Sequence, residues 1–235
     1  MALDDDTLPR ALIADPRTAD TGLPRRQALL ELAILVTAEP WTLSRHKLKQ
    51  WHDAGLTDDD VLHGVALASY FGHLNRIADA TAVPLDYEVR HTPAHADPST
   101  PPWPEAAKLV TGRAAIDIAS RPATAAALTE WKTYMFHRDA PLTRRQRTLI
   151  VRHVASWLGD GGISSPADLT ANTLDDALRA LARTVTLAPW QLGDASYADL
   201  RAAGFDDTML FDVVATATTA GVSSRIAVAL AALAT

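Results

Sequence analysis

Apolar residues recur along this chain at helical spacing. Leu29, Leu32, Ala33 and Val36 stand at i, i+3, i+4 and i+7, which predicts a helix over 23–38. Pro24 suits its first turn, and Pro40 ends it, because a residue before proline avoids the helical region. A second helix is expected over 43–53, with Thr42 or Ser44 as N-cap and Gly55 as the left-handed residue that closes it. Thr57 opens a third. Asp58, Asp59 and Asp60 set negative charge on the positive end of its dipole, and Pro84 limits it to about residue 81. Residues 84–104 hold six prolines in 21 positions and read as an extended linker. Residues 105–118 and 123–134 read as two further helices, broken near Arg121-Pro122. Over 142–157 a strong helix is expected, capped by Thr143, with Leu149, Ile150, Val154 and Trp157 as its apolar stripe. Residues 159–170 form a loop rich in Gly, Ser and Pro, and residues 1–22 are polar without a clear period, an N-terminal arm. No β-branched alternation of useful length appears. The expected class is all-α, with eight or nine helices packed on one another.

The pattern repeats. Shifted by 149 residues, 23–80 lies without a gap on 172–229, with 20 identities in 58 positions. Roughly a tenth would match by chance in a chain rich in Ala and Leu. The expected organisation is an arm (1–22), a first helical repeat (23–83), a linker (84–104) and a second helical unit (105–235) carrying the repeat at 172–229. A pseudo-two-fold relation between the copies follows.

Composition narrows the chemistry. The 235 residues are 48% hydrophobic with a net charge of −6, and no cluster of Lys or Arg offers a nucleic-acid footprint. No run of 18 apolar residues suggests a membrane span. The first ten residues, MALDDDTLPR, are acidic where a secretory leader would be basic and then apolar, so a cytoplasmic location is expected. There is no cysteine, which excludes disulfides, thiolate metal sites and cysteine nucleophiles. No phosphate loop, dinucleotide fingerprint, H-E-x-x-H or G-x-S-x-G occurs, and neither a cofactor nor a metal is expected.

The two copies share a scaffold and differ in ionisable side chains. His63, Tyr70 and His73 stand at i, i+7 and i+10 of the third helix, on one face; the second copy has Asp212, Thr219 and Val222 there. Imidazole and phenol groups do acid/base work, which makes Tyr70 and His73 the catalytic candidates. The bland alternative is a surface His63 with Tyr70 and His73 packed around satisfied polar tips. Arg76 recurs as Arg225 whereas Asn75 becomes Ser224. A duplicated arginine points to a buried structural contact, with anion binding as the alternative. His46 and His52 are six residues apart, a poor spacing for metal ligands on one helix face, and read as solvated. His153 could approach the first-copy site if the halves pack face to face. Pro40-Trp41 recurs as Pro189-Trp190, a packing device at a helix junction.

Ala54-Gly55-Leu56-Thr57-Asp58-Asp59, followed by Ser69-Tyr70-Phe71-Gly72-His73-Leu74-Asn75-Arg76-Ile77-Ala78-Asp79, resembles the alkylhydroperoxidase D (AhpD) and carboxymuconolactone-decarboxylase superfamily. It is most similar to the peroxidase-related branch, with its AGL(S/T)D turn and YFNxxNRxAD helix. Leu142 to Val154 is similar to the LxxREREL helix of that superfamily. The resemblance covers about 23–83 and 142–229 and implies an AhpD-like helical fold that self-associates. Active peroxidases of the family carry a C-x-x-C pair followed by a histidine; here the matching places read WLGDGGIS (157–164) and EPWTLSRH (39–46), so only His46 could correspond. The histidine pattern of the cysteine-free decarboxylases is absent as well.

Three functions follow as expectations. The first is a cysteine-less small-molecule enzyme doing proton-transfer chemistry (decarboxylation, isomerisation or cyclisation), with Tyr70 and His73 catalytic and Arg76, Asn75, His63, His46 and His153 as candidate binding residues. The second is a non-catalytic pseudoenzyme that binds a ligand or scaffolds. The third is a peroxidase acting through a bound metal or another redox group. A small-molecule ligand and a homo-oligomer are the expected partners, without nucleic acid or membrane.

Overall fold

A computed structural model of the chain describes residues 7–83, 107–116, 121–165 and 172–235. Among these residues the protein is all-α. Its helices are α1 (Thr7–Ala14), α2 (Pro24–Ala38), α3 (Arg45–Asp53), α4 (Asp58–Thr81), α5 (Pro122–Phe136), α6 (Arg144–Trp157), α7 (Thr173–Leu187), α8 (Ala198–Ala202) and α9 (Asp207–Ala232). Short 3-10 turns cover Pro40–Thr42, Pro189–Gln191 and Asp194–Tyr197.

Local chemistry sets the helix starts. Thr57 and Asp60 form a reciprocal capping box on α4, and Thr143 and Gln146 do the same on α6. Ser44, Asn172 and Asp206 cap α3, α7 and α9 through their side-chain oxygens. Gly55 and Gly204, which are 149 residues apart, have φ of 91° and 90° and turn the chain where an L side chain would be strained. The same shift carries α2 onto α7, the turn at Pro40 onto that at Pro189, and the start of α4 onto the start of α9.

Two expectations are corrected. The N-terminal arm contains a helix, α1. Residues 107–116, expected within a helix over 105–118, are not helical. Their backbone is taken up elsewhere: Val110 pairs with the turn after α6 (Val110 N–H to Gly159 O, 2.8 Å; Gly161 N–H to Val110 O, 3.0 Å), and Ala115 N–H donates to Leu230 O at 2.8 Å. Gly112, at φ 131°, bends the chain between these anchors. The proline-rich linker, with His91 and His95, lies outside the described residues.

The long helices α4 and α9 pack on each other at the centre, α2 flanks α4, α7 flanks α9, and α6 lies over α7 and α9. Both cores draw on both copies. Trp41, from the first, is buried with Leu149, Ile150, Leu178, Leu181 and Val213. Val222, Ile226 and Leu230, from the second, are buried with Leu32, Trp51, Val61 and Val65. By length and composition α9 could cross a membrane, yet here it is the central buried helix.

Candidate functional site

The capping box fixes the phase of α4, and that phase decides what each candidate faces. Tyr70 and His73 are brought together: their rings stack at 6.2 Å, with Tyr70 largely exposed. Trp131 of α5 meets the His73 ring edge-on at 5.1 Å. His73 is half-buried in the seam between α4, α5 and α9. Its Nδ1 is buried without a hydrogen-bond partner, as is Oγ of Ser69, one turn earlier on α4. Burial holds the His73 imidazole below its ordinary range; the Thr218 backbone opposes the shift and the Arg76 charge adds to it. Burial therefore favours the neutral ring, whose unpartnered Nδ1 lies out of contact with solvent.

A pH dependence follows from the sign of that shift. The folded pKa lies below the unfolded value, so on acidification the unfolded chain takes up a proton that folded His73 resists. Stability is then lost as the pH falls below about 6.5. Between pH 7.5 and 5, the melting temperature of His73→Gln should fall less steeply than that of the wild type; parallel curves would contradict the assignment. His153 is also lowered, by burial first and then by Arg179, and contributes equally to both proteins.

Arg76 lies one turn beyond His73 and its guanidinium is bound by backbone carbonyls. It is buried, with Nε donating to Thr186 O (3.1 Å) and Nη1 to Gly72 O (2.8 Å). Its second-copy counterpart, Arg225, donates from Nε to Thr37 O (3.1 Å) and from Nη2 to Thr186 O (3.3 Å). Thr37 and Thr186 are themselves 149 residues apart, so each copy's arginine reaches the helix-end carbonyl of the other copy. Burial pulls Arg76 down to about 10, and pushes Arg225 well below the ordinary guanidinium range. These bonds close helix ends that would otherwise leave carbonyls unpaired.

The remaining candidates stand apart. His63 is exposed, its Nδ1 2.9 Å from the Asp59 carbonyl. Asn75 is exposed on α4, and His46 on α3. His153 stacks on Trp157 at 5.5 Å within α6 and sits near Arg179 and Asp175 of α7. Among the described residues, no three His, Asp or Glu side chains converge as a metal-ligand set.

Trp131 is a site residue that sequence reasoning missed, because nothing in α5 alone marks which residue meets α4. A second omission is the cluster around Asp212. Arg147 donates to Asp212 through both terminal nitrogens, and to Met135 O (3.0 Å), Thr216 Oγ1 (3.0 Å) and Ala140 O (3.1 Å). Arg138 (2.9 Å) and the Leu142 N–H (3.1 Å) also donate to Asp212. The signal was available: Arg147 precedes Ile150 and Val154 at helical spacing, on the buried stripe of α6.

Comparison with protein-family models, with curated proteins and with solved structures found no match.

Proposed function

We propose that the chain is a cysteine-less relative of the AhpD and carboxymuconolactone-decarboxylase superfamily that acts on a small organic molecule by proton transfer. The observation that carries this reading is His73: a neutral imidazole with an unpartnered Nδ1, held between Tyr70 and Trp131. A positioned imidazole can take a proton from a carbon acid and return it elsewhere, as isomerisation requires, move the proton lost or gained in a cyclisation, or deliver a proton to the carbanion left when carbon dioxide departs in a decarboxylation. Tyr70, beside it, supplies a hydroxyl on the open side. Arg76 contributes helix contacts rather than a substrate anchor, since its Nε and Nη1 are engaged by carbonyls. With no cysteine in the chain, thiol peroxidation is not part of the proposal. A ligand screen by thermal shift tests it. Hits that raise the wild-type melting temperature should lose most of their shift in His73→Ala; a shift that survives unchanged removes His73 from the site.

A second reading, non-catalytic ligand binding, is favoured by a cavity of about 470 Å³ at the C-terminal end of α4. Asp79, Tyr197, Arg201, Asp207 and Phe211 line it. Ligand shifts abolished by Tyr197→Ala but kept in His73→Ala would select this reading.

A further inference from the structure

The cavity at the C-terminal end of α4 has a counterpart in the duplication, and that counterpart is filled. Shifted by 149 residues, three of its wall positions become Leu43, Leu62 and Leu230, which are buried together in one core. There the 107–116 segment packs at the end of α9: Ala115 N–H donates to Leu230 O, and Ile116 joins the same core. At the cavity the equivalent residues are Leu192, Phe211 and Thr81. Phe211 is 49% exposed, and Thr81 is exposed as well. One place in the scaffold is thus closed in one copy and open, at about 470 Å³, in the other. That volume lies within the range of small-molecule sites.

The duplication also separates scaffold charges from added ones. Arg201 pairs with Asp207 at 2.6 Å, as His52 pairs with Asp58 at 2.9 Å in the first copy, so this pair belongs to the shared scaffold. Asp79 and Asp194 are additions, since their counterparts are Val228 and Arg45. Neither has an ion-pair partner among the described residues. Burial pushes the Asp79 carboxyl up against the pull of Arg76, as expected of a carboxylate short of positive charge. α4 ends here with no basic residue in its last turn, which leaves the negative end of its dipole uncompensated. The positive end of α9, which also borders the cavity, already carries Asp206 and Asp207. Tyr197 donates its hydroxyl to Ala80 O at 2.6 Å, and its ring lines the cavity.

We propose that this cavity binds an organic ammonium ion with an apolar body, its charge held by Asp79 and Asp194 and its body against Phe211, Tyr197 and Leu192. Carboxylates attract the ammonium group by charge, and aromatic rings do so through their quadrupole. An inorganic cation fits less well, because among the described residues no three carboxylate or imidazole groups converge as a ligand set. An anion would meet three aspartates against one arginine, and that arginine is already paired. The inference rests on the ligand-binding reading of this cavity and is independent of His73.

The test compares three probes of one shape, 4-phenylbutylamine, 4-phenylbutan-1-ol and 4-phenylbutanoate, titrated against the full chain at pH 7 by ligand-detected NMR. The amine should bind about tenfold more tightly than the alcohol, and the carboxylate most weakly. Asp79 and Asp194 are exposed, so Asp79→Asn and Asp194→Asn should leave the circular dichroism spectrum unchanged. Each should weaken the amine about threefold without moving the alcohol, and together they should bring amine and alcohol level. Asp194→Arg, which installs the first-copy residue, should weaken the amine further and strengthen the carboxylate. Phe211→Ala should weaken all three probes. Probes that bind alike, or an amine preference that survives the double substitution, overturn the ammonium assignment and leave ligand binding at this cavity standing. Binding of no probe up to about 10 mM, or binding that Phe211→Ala leaves untouched, overturns both.

Discussion

Asp212→Ala should destabilise the protein by about 3–5 kcal/mol, the cost of leaving a buried charge without its partner. Arg147 is fully buried and gives both terminal nitrogens to this carboxylate, while Arg138 gives a third bond and the Leu142 N–H a fourth. Without Asp212, two guanidinium groups face each other with no counter-charge, and the entry to α6 loses its anchor. For a chain of this length the loss corresponds to a fall in melting temperature of roughly 10 °C. Urea unfolding followed by circular dichroism measures it. Arg147→Met combined with Asp212→Leu should cost less than the sum of the single changes, because the fully buried Arg147 charge is then not left without its partner and only the part-exposed Arg138 is. Additive losses would show that the cluster does not act as a unit. Asp212→His, which installs the first-copy residue, should be no better tolerated than alanine, since a neutral ring cannot balance two arginines.

Gly221→Ala should destabilise by about 2 kcal/mol, although alanine is the better helix former by about 1 kcal/mol. An added Cβ would stand 2.8 Å from Nη1 of Arg225; at Gly72 it would stand 2.9 Å from Nη1 of Arg76. The end of an arginine can usually move aside. Here it cannot, because both guanidinium groups are buried and held by backbone carbonyls, each Nε by one from the opposite copy. Overpacking of this kind costs about 1–3 kcal/mol. A strained charge-assisted bond to a buried carbonyl adds ~1.5–3 kcal/mol if it breaks. Gly72→Ala should behave alike, and Gly193→Ala, which meets no atom within 4 Å, should stay within about 0.5 kcal/mol of the wild type. A stabilised Gly221→Ala would mean that helix propensity outweighs the arginine packing.

The paired glycines and arginines show what the sequence carried. Arg76 recurs as Arg225, which pointed to a buried structural contact, and Gly72 recurs as Gly221 at the same spacing. The partners were not legible, because Thr37 and Thr186 are identical in both copies and nothing local says that each arginine crosses to the other one. Of the site, Tyr70 and His73 were legible as same-face neighbours. Trp131 and the Thr218 backbone were not, since they arrive from α5 and α9. His63 shared the helical periodicity of Tyr70 and His73 but not their surroundings; it sits on the solvent side of the first turns of α4.

By itself, the sequence determined the helices of both repeats, the caps Thr57 and Thr143, Ser44 as one of two cap candidates on α3, the glycine turn at 55 and the register of 149 between copies. These depend on a 3.6-residue period and on side chains that bond to their own backbone within four residues, so local order suffices to read them. Tertiary structure alone decided the rest. It drew residues 107–116 out of a helix by offering their backbone Gly159, Gly161 and Leu230 as partners. It also gave equivalent positions opposite fates: Asp212 is buried beneath α6 and Arg147, while His63 remains in solvent. Burial is set by which helix lies over a face, and that covering helix comes from a distant part of the chain.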